Sequence, residues 1–234
     1  MNFKDKVVVV TGASHGIGKQ IADDFAKYGA KVCTISRNGD TYFKGDIKDK
    51  EVLAAFYKKV IEDFGKIDIL INNAPPKMKG LETATYEDAL EAFQVGSLAA
   101  FYLTKLFKDD FGNKASIINI SSTRAKMSQP QGETYSMAKG AISSLTHALA
   151  QSLSGKVRVN TVLPGWIDTE FIEYSGSDAK QHTSGRVGNP KDISDLVLYL
   201  CSDKAGFING QEFIVDGGMS TTMIYSGDGG WSLE

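Results

Sequence analysis

Tyr135 and Lys139 stand four residues apart in a stretch with helical periodicity. That spacing puts both side chains on one helix face. An ammonium beside a phenol favours the phenolate, so the Tyr135 pKa is expected to fall from about 10 toward neutrality. A tyrosine tuned in this way can give a proton to a reacting oxygen or take one back. Ser121 and Ser122 follow the apolar run Ser116–Ile120. A hydroxyl at the end of a strand can hydrogen-bond the same oxygen and steady its developing charge. Taken singly, a helical Tyr-x-x-x-Lys is usually a surface pair and a serine after a strand a turn residue. The surrounding motifs decide.

The first of these is Thr11-Gly12-Ala13-Ser14-His15-Gly16-Ile17-Gly18, which links an apolar strand pattern to a helical one. Glycines in a strand-loop-helix context let the backbone approach a pyrophosphate, and the helix N-terminus offers free N–H groups to the anion. A dinucleotide is therefore expected here. The end of the second strand selects which one. A carboxylate there would accept both ribose hydroxyls and repel a 2′-phosphate. The chain instead has Ser36 and Arg37. A guanidinium can clamp a phosphate with paired, charge-assisted hydrogen bonds, and Ser14 and His15 can add donors. This pattern predicts NADP(H) rather than NAD(H).

The glycine spacing is Gly-x-x-x-Gly-x-Gly. Asn72-Asn73-Ala74 follows the fourth strand, Ser122 precedes Tyr135-x-x-x-Lys139 by thirteen residues, Pro164-Gly165 follows the sixth strand, and Asp216-Gly217-Gly218 closes the last. In type and order these motifs resemble the short-chain dehydrogenase/reductase family, over nearly the whole chain. The resemblance implies a Rossmann-like fold and NADP(H)-dependent interconversion of a carbonyl and a secondary alcohol. It implies Ser122, rather than Ser121, as the catalytic hydroxyl beside Tyr135 and Lys139, with Lys139 also holding the nicotinamide ribose. Asp46 and Ile47 resemble the family's adenine-binding pair. Asn73, Ala74, Pro164, Gly165, Ile167 and Thr169 match its cofactor-lining positions, Thr169 toward the carboxamide or phosphate. Within the family the chain is similar to 3-oxoacyl-thioester reductases and to sugar or steroid dehydrogenases, and the substrate stays open. A catalytically impaired dinucleotide sensor and a structural subunit of a reductase complex are the competing readings.

Positioning such residues requires a sheet. Val7–Val10, Lys31–Ser36, Ile67–Ile71, Ser116–Ile120, Val157–Leu163 and Glu212–Val215 read as strands, several apolar at every position. Helical patterns alternate with them over Ile17–Tyr28, Lys50–Phe64, Tyr86–Phe111, Thr134–Ser154 and Lys191–Leu200, with Asp49, Thr85, Glu133 and Pro190 near the starts. This alternation predicts a doubly wound parallel α/β sheet. Only about five residues separate the second strand from a short strand at Tyr42–Gly45, so the helix between them is expected to be missing. The 234 residues suit a single catalytic domain over 1–234, with 219–234 as a C-terminal extension. A net charge of -2 gives no basic footprint for nucleic acid. No apolar stretch is long enough for a membrane span. Cys33 and Cys201 read as reduced, buried thiols, which together with the unremarkable N-terminus suggests a cytoplasmic setting. His147 and His182 fit no motif, and no metal site is expected.

Two departures from the family pattern stand out. Gly96 occupies the place of an asparagine that helps hold a proton-relaying water behind the lysine. Either water fills the space, or Ser97 or Gln94 substitutes, or the relay is impaired. Pro75 replaces a glycine beside the nicotinamide, stiffening the loop Pro75-Pro76-Lys77 and removing a donor. The polar segment from Trp166 to Arg186 reads as a lid where substrate choice sits. Lys77, Lys79, Arg124 and Lys126 read first as a solvated basic rim and second as a hint of an anionic substrate. Phe101, Tyr102, Leu145 and Leu149 exceed what one sheet face needs, and the family resemblance implies a homotetramer built on the helices that carry them. Ile224, Tyr225 and Trp231 would pack at a subunit interface.

Overall fold

The computed structural model describes residues 1–223 and 225. Seven strands form one parallel sheet: β1 (Val7–Thr11), β2 (Lys31–Ser36), β3 (Phe43–Lys44), β4 (Ile67–Asn72), β5 (Phe111–Ile120), β6 (Val157–Pro164) and β7 (Glu212–Val215). Their spatial order is β3-β2-β1-β4-β5-β6-β7. The order reverses between β1 and β4, and a ligand crevice in such sheets lies at the strand ends beside that reversal. Every residue of β1 and β4 is buried, as in strands covered on both faces, and the buried Asp68 of β4 is met by Lys6 at 2.9 Å and the Val7 N–H at 3.0 Å.

Helices α1 (Gly16–Lys27) and α7 (Pro190–Cys201) cover one face, and the four-residue α6 (Ser177–Lys180) lies in the segment before α7. Helices α2 (Lys50–Phe64), α4 (Ala99–Phe107) and α5 (Glu133–Ser152) cover the other. Phe25 on α1, Phe56 on α2 and Phe107 on α4 are fully enclosed. Three of the helix starts follow local capping chemistry. Asp49 accepts from the Glu51 N–H to begin α2, and Asn189 caps α7 with Pro190 at its first position. Helix α3 (Tyr86–Phe93) opens on a reciprocal Thr85/Asp88 capping box. Helix α5 begins one residue before the expected Thr134, after Gly132.

The β2–β3 connection is the bare loop the short spacing demands, with no helix. Thr34 anchors it: its hydroxyl accepts from the Tyr42 N–H at 3.0 Å and meets the Thr41 hydroxyl at 2.9 Å. Strand β3 shrinks to two residues, shorter than Tyr42–Gly45, because Tyr42 turns onto Phe56 and Phe64 instead. The expectation of one helix over Tyr86–Phe111 is corrected. The segment breaks into α3, a π-helical turn Gln94–Leu98, and α4. It ends at Phe107, because Asp110 turns the chain, its N–H bonding Phe107 O and its carbonyl accepting from Ile67, so that Phe111 already belongs to β5. Among the described residues no helix is long and apolar enough to cross a membrane. Cys33 and Cys201 are free and buried, and burial pushes both thiols up to about 12.

Candidate active site

The loop after β1 lies against the loop after β4. Gly12 has φ of 67°, and a Cβ there would sit 2.6 Å from Ala74 Cα, so only glycine allows the approach. The Thr11 hydroxyl accepts from the N–H groups of Asn73 and Ala74, at 3.0 and 3.2 Å. The Asn73 amide returns two bonds, to Thr11 O at 3.0 Å and Gly12 O at 2.9 Å. Asn73 thus acts as a clasp on the glycine loop, a role its motif alone did not specify.

Three cavities follow one another along the carboxyl ends of the strands. The first, about 400 Å³, is bordered by Gly12, Ser14, His15, Ser36, Arg37, Asp46, Ile47 and Ala74. Buried Ser36 accepts from the Ala13 N–H at 3.0 Å, and Ser14 Oγ lies 3.0 Å from His15 Nδ1. Arg37 is open to solvent, its guanidinium 4.0 Å from Asp46. The second cavity, about 250 Å³, shares Gly12 and His15 with the first and adds Gly16, Ile17, Gly18, Asn73, Pro164, Gly165, Ile167 and Thr169. Ser122, Tyr135 and Lys139 also border it. The third, about 580 Å³, begins at the Ser122–Tyr135 wall and runs toward Trp166 and Met219. All the sequence-marked site residues therefore lie along one continuous cleft. At its far end Gln181 belongs to the segment expected to form the lid, whereas Ser128, Gln129 and Met219 carry no motif.

At the centre, Ser122 is buried at the end of β5, its Oγ accepting from the Arg124 N–H at 3.2 Å. Ser121 is committed elsewhere: it donates to Lys139 O at 2.8 Å and accepts from Ser143 at 3.2 Å. Tyr135 sits in the first turn of α5, one turn before Lys139. Lys139 is 2% exposed and donates to Ile120 O at 2.7 Å, with its Nζ 5.6 Å from the centre of the Tyr135 ring. Among the described residues no carboxylate pairs with it, and burial pulls its pKa down to about 7. The expected fall of the Tyr135 pKa is therefore corrected. Burial pushes the phenol up, against the smaller opposing effects of the Ser122 hydroxyl and the Arg124 charge. Lys139 does not offset this rise, because the same burial pulls its own pKa down.

Gly96 lies in the π-helical turn, packed against the loop after β4. A Cβ at this position would meet Ala138 Cβ at 2.8 Å and Pro76 Cγ at 3.0 Å. Ala138 and Pro76 thus fill the space beside Gly96, while the other departure from the family pattern, Pro75, precedes Pro76 in the same loop. Ser97 is no replacement for the absent amide, because its hydroxyl donates to Phe93 O at 3.1 Å in its own helix. A small cavity bounded by Asn72, Gly96 and Ile120 lies beneath. Asn72 Oδ1 has no partner there, while its Nδ2 donates to Asn119 at 2.8 Å. His147 is exposed, and His182 is buried with Nδ1 3.1 Å from Asp178 O. The rim lysines are paired: Lys77 with Glu91 at 3.2 Å, Lys79 with Asp88 at 2.9 Å and Lys126 with Glu212 at 2.7 Å.

Comparison with known proteins agrees with this architecture. The family model described as Enoyl-(Acyl carrier protein) reductase matches residues 12–220. An apo SCOR enzyme from Clostridium thermocellum superposes with a TM-score of 0.92 at 43% identity, covering 98% of each chain. The NADP-dependent (R)-specific alcohol dehydrogenase of Lentilactobacillus kefiri is 33% identical, over 92% of this chain and 97% of that protein. The 3-oxoacyl-[acyl-carrier-protein] reductase FabG of Vibrio cholerae is 32% identical, over 94% of this chain and 99% of that protein. With the glycine loop, the Ser122/Tyr135/Lys139 cluster and the seven-stranded sheet, these likenesses establish the chain as an oxidoreductase enzyme of the short-chain dehydrogenase/reductase family.

Proposed function

We propose that the chain, acting as one catalytic unit, interconverts a carbonyl and a secondary alcohol with NADP(H). The observation that carries this is the meeting of Ser122, Tyr135 and Lys139 where the second cavity opens into the third. The cleft suits a dinucleotide. Gly12 brings the backbone close, the N-terminus of α1 faces the second cavity, and the first cavity lies at the end of β2. Gly12, Ser14, His15, Gly16, Ile17 and Gly18 would hold the pyrophosphate. Ser36 and Arg37 would take the 2′-phosphate, Asp46, Ile47 and Ala74 the adenine side. Asn73, Pro164, Gly165, Ile167 and Thr169 would border the nicotinamide, and Lys139 its ribose. When bound, the nicotinamide supplies or accepts a hydride.

Tyr135 gives the carbonyl oxygen its proton, and Ser122 donates a hydrogen bond to the same oxygen. The raised phenol pKa suits this direction, because a buried Tyr135 stays protonated and ready to donate at neutral pH. The two relatives, one an NADP-dependent alcohol dehydrogenase and one an oxoacyl reductase, support both the cofactor and the reaction class. Two buried free thiols suit a reducing, cytoplasmic setting. The test is a panel of ketones, keto esters and oxoacyl thioesters, followed by loss of reduced-nicotinamide absorbance with NADPH and with NADH. Turnover with NADPH is expected. Tight NADPH binding with no carbonyl reduced would favour a sensor instead.

A further inference from the structure

The third cavity receives whatever is attached to the reacting carbonyl. Among the described residues Arg124 is the only charged side chain on its wall, and no carboxylate borders it. The three neighbouring lysines of the rim each have a carboxylate partner. Arg124 has none within ion-pair distance among the described residues. Its guanidinium donates to Gln129 Oε1, and its backbone is held by Ser122 Oγ. Gly132 leaves it room, since a Cβ there would stand 3.3 Å from Arg124 Nη1. A half-buried guanidinium with one side-chain hydrogen bond and no counter-charge has donors left for an anionic ligand group. One cation matches one negative charge. The planar fork matches a carboxylate with two parallel bonds. Met127, Trp166 and Met219 supply apolar wall for a short carbon skeleton.

We infer that the substrate is a short oxo acid, its ketone at Ser122 and Tyr135 and its carboxylate on Arg124. This rests on the carbonyl-reductase reading above. The ketone carbon accepts the hydride and its oxygen the Tyr135 proton. A hydroxy acid forms, the dinucleotide leaves oxidised, and the carboxylate is unchanged.

The experiment compares 3-oxobutanoate, its methyl ester and dihydroxyacetone phosphate in the parent and in Arg124→Gln. NADPH titration of both proteins checks that each is folded. The parent should favour the acid over the ester in kcat/KM. Arg124→Gln should lower that ratio roughly 10- to 150-fold, mainly through KM, as expected for one lost charge-assisted pair. Arg124→Lys should recover part of it. Equal use of acid and ester by the parent, a ratio unmoved in Arg124→Gln, or reduction of neutral ketones alone would overturn the inference. Preference for the phosphorylated ketone would replace the carboxylate with a phosphate and overturn it too. Failure to reduce any carbonyl would instead sink the reductase reading, a distinguishable result.

Discussion

At the scale of single residues, Lys139 shows how burial overrides a local rule. The spacing of Tyr135 and Lys139 is legible in the sequence, and so is their shared face. Their electrostatics are not, because these depend on what encloses the ammonium. The folded pKa near 7 lies below the ordinary lysine value of about 10.4. Between these two values the unfolded chain binds a proton that the folded chain does not, so stability rises with pH across that window. Below it both states are protonated and the contribution is flat. Urea unfolding of the cofactor-free protein should therefore show the parent gaining on Lys139→Met by on the order of 2 kcal/mol between about pH 7 and about pH 9.5. A constant gap would mean that Lys139 is charged when folded. Arg37 is legible as a phosphate ligand by type and position, but its solvent exposure and its neighbour Asp46 are not. Arg37→Asp should weaken NADPH binding roughly 10- to 150-fold and leave NADH binding less affected, by calorimetric titration. Equal losses for both cofactors would remove Arg37 from the 2′-phosphate.

At the scale of elements, strand–helix alternation makes the sheet legible, and the five-residue spacing after β2 reveals its missing helix. The break of the Tyr86–Phe111 pattern is not legible, because the segment is apolar and helix-compatible throughout. Gly96 hints at the π-helical turn, yet its reasons are Ala138 and Pro76, distant in sequence and in contact only after folding. Installing the family asparagine is therefore not a repair. Gly96→Asn should destabilise the protein by about 1–3 kcal/mol through overpacking. Gly96→Asn with Pro76→Gly should recover part of that, Ala138 remaining in place, a coupling readable in a thermal-unfolding double-mutant cycle. Additive losses would show that Pro76 is not the obstacle.

At the scale of the molecule, the carboxyl ends of β1, β2, β4, β5 and β6 build one cleft from short motifs scattered along the chain. Motif order makes most of that cleft legible, whereas its far end, reached by unpatterned loops, is not. A second surface is apolar and exposed. Leu98, Phe101 and Met137 are 52%, 44% and 44% exposed on the faces of the π-helical turn, α4 and α5. Tyr102 and Leu149, by contrast, pack on the chain's own core. Such a patch suits self-association. We propose the homotetramer, and light scattering at micromolar concentration should give about four times the 25.3 kDa chain mass. A Phe101→Lys variant should fall to smaller species, and a monomeric parent would contradict the assembly. Of the tail residues expected at this interface, Ile224 and Trp231 lie outside the described residues. The central claim is that Tyr135 protonates a carbonyl oxygen as NADPH delivers hydride. It is tested most directly by single-turnover reduction of a ketone with the parent and Tyr135→Phe. The account predicts unchanged NADPH affinity and a rate lower by about 10²–10⁴-fold in the variant. A near-normal rate in Tyr135→Phe would contradict it.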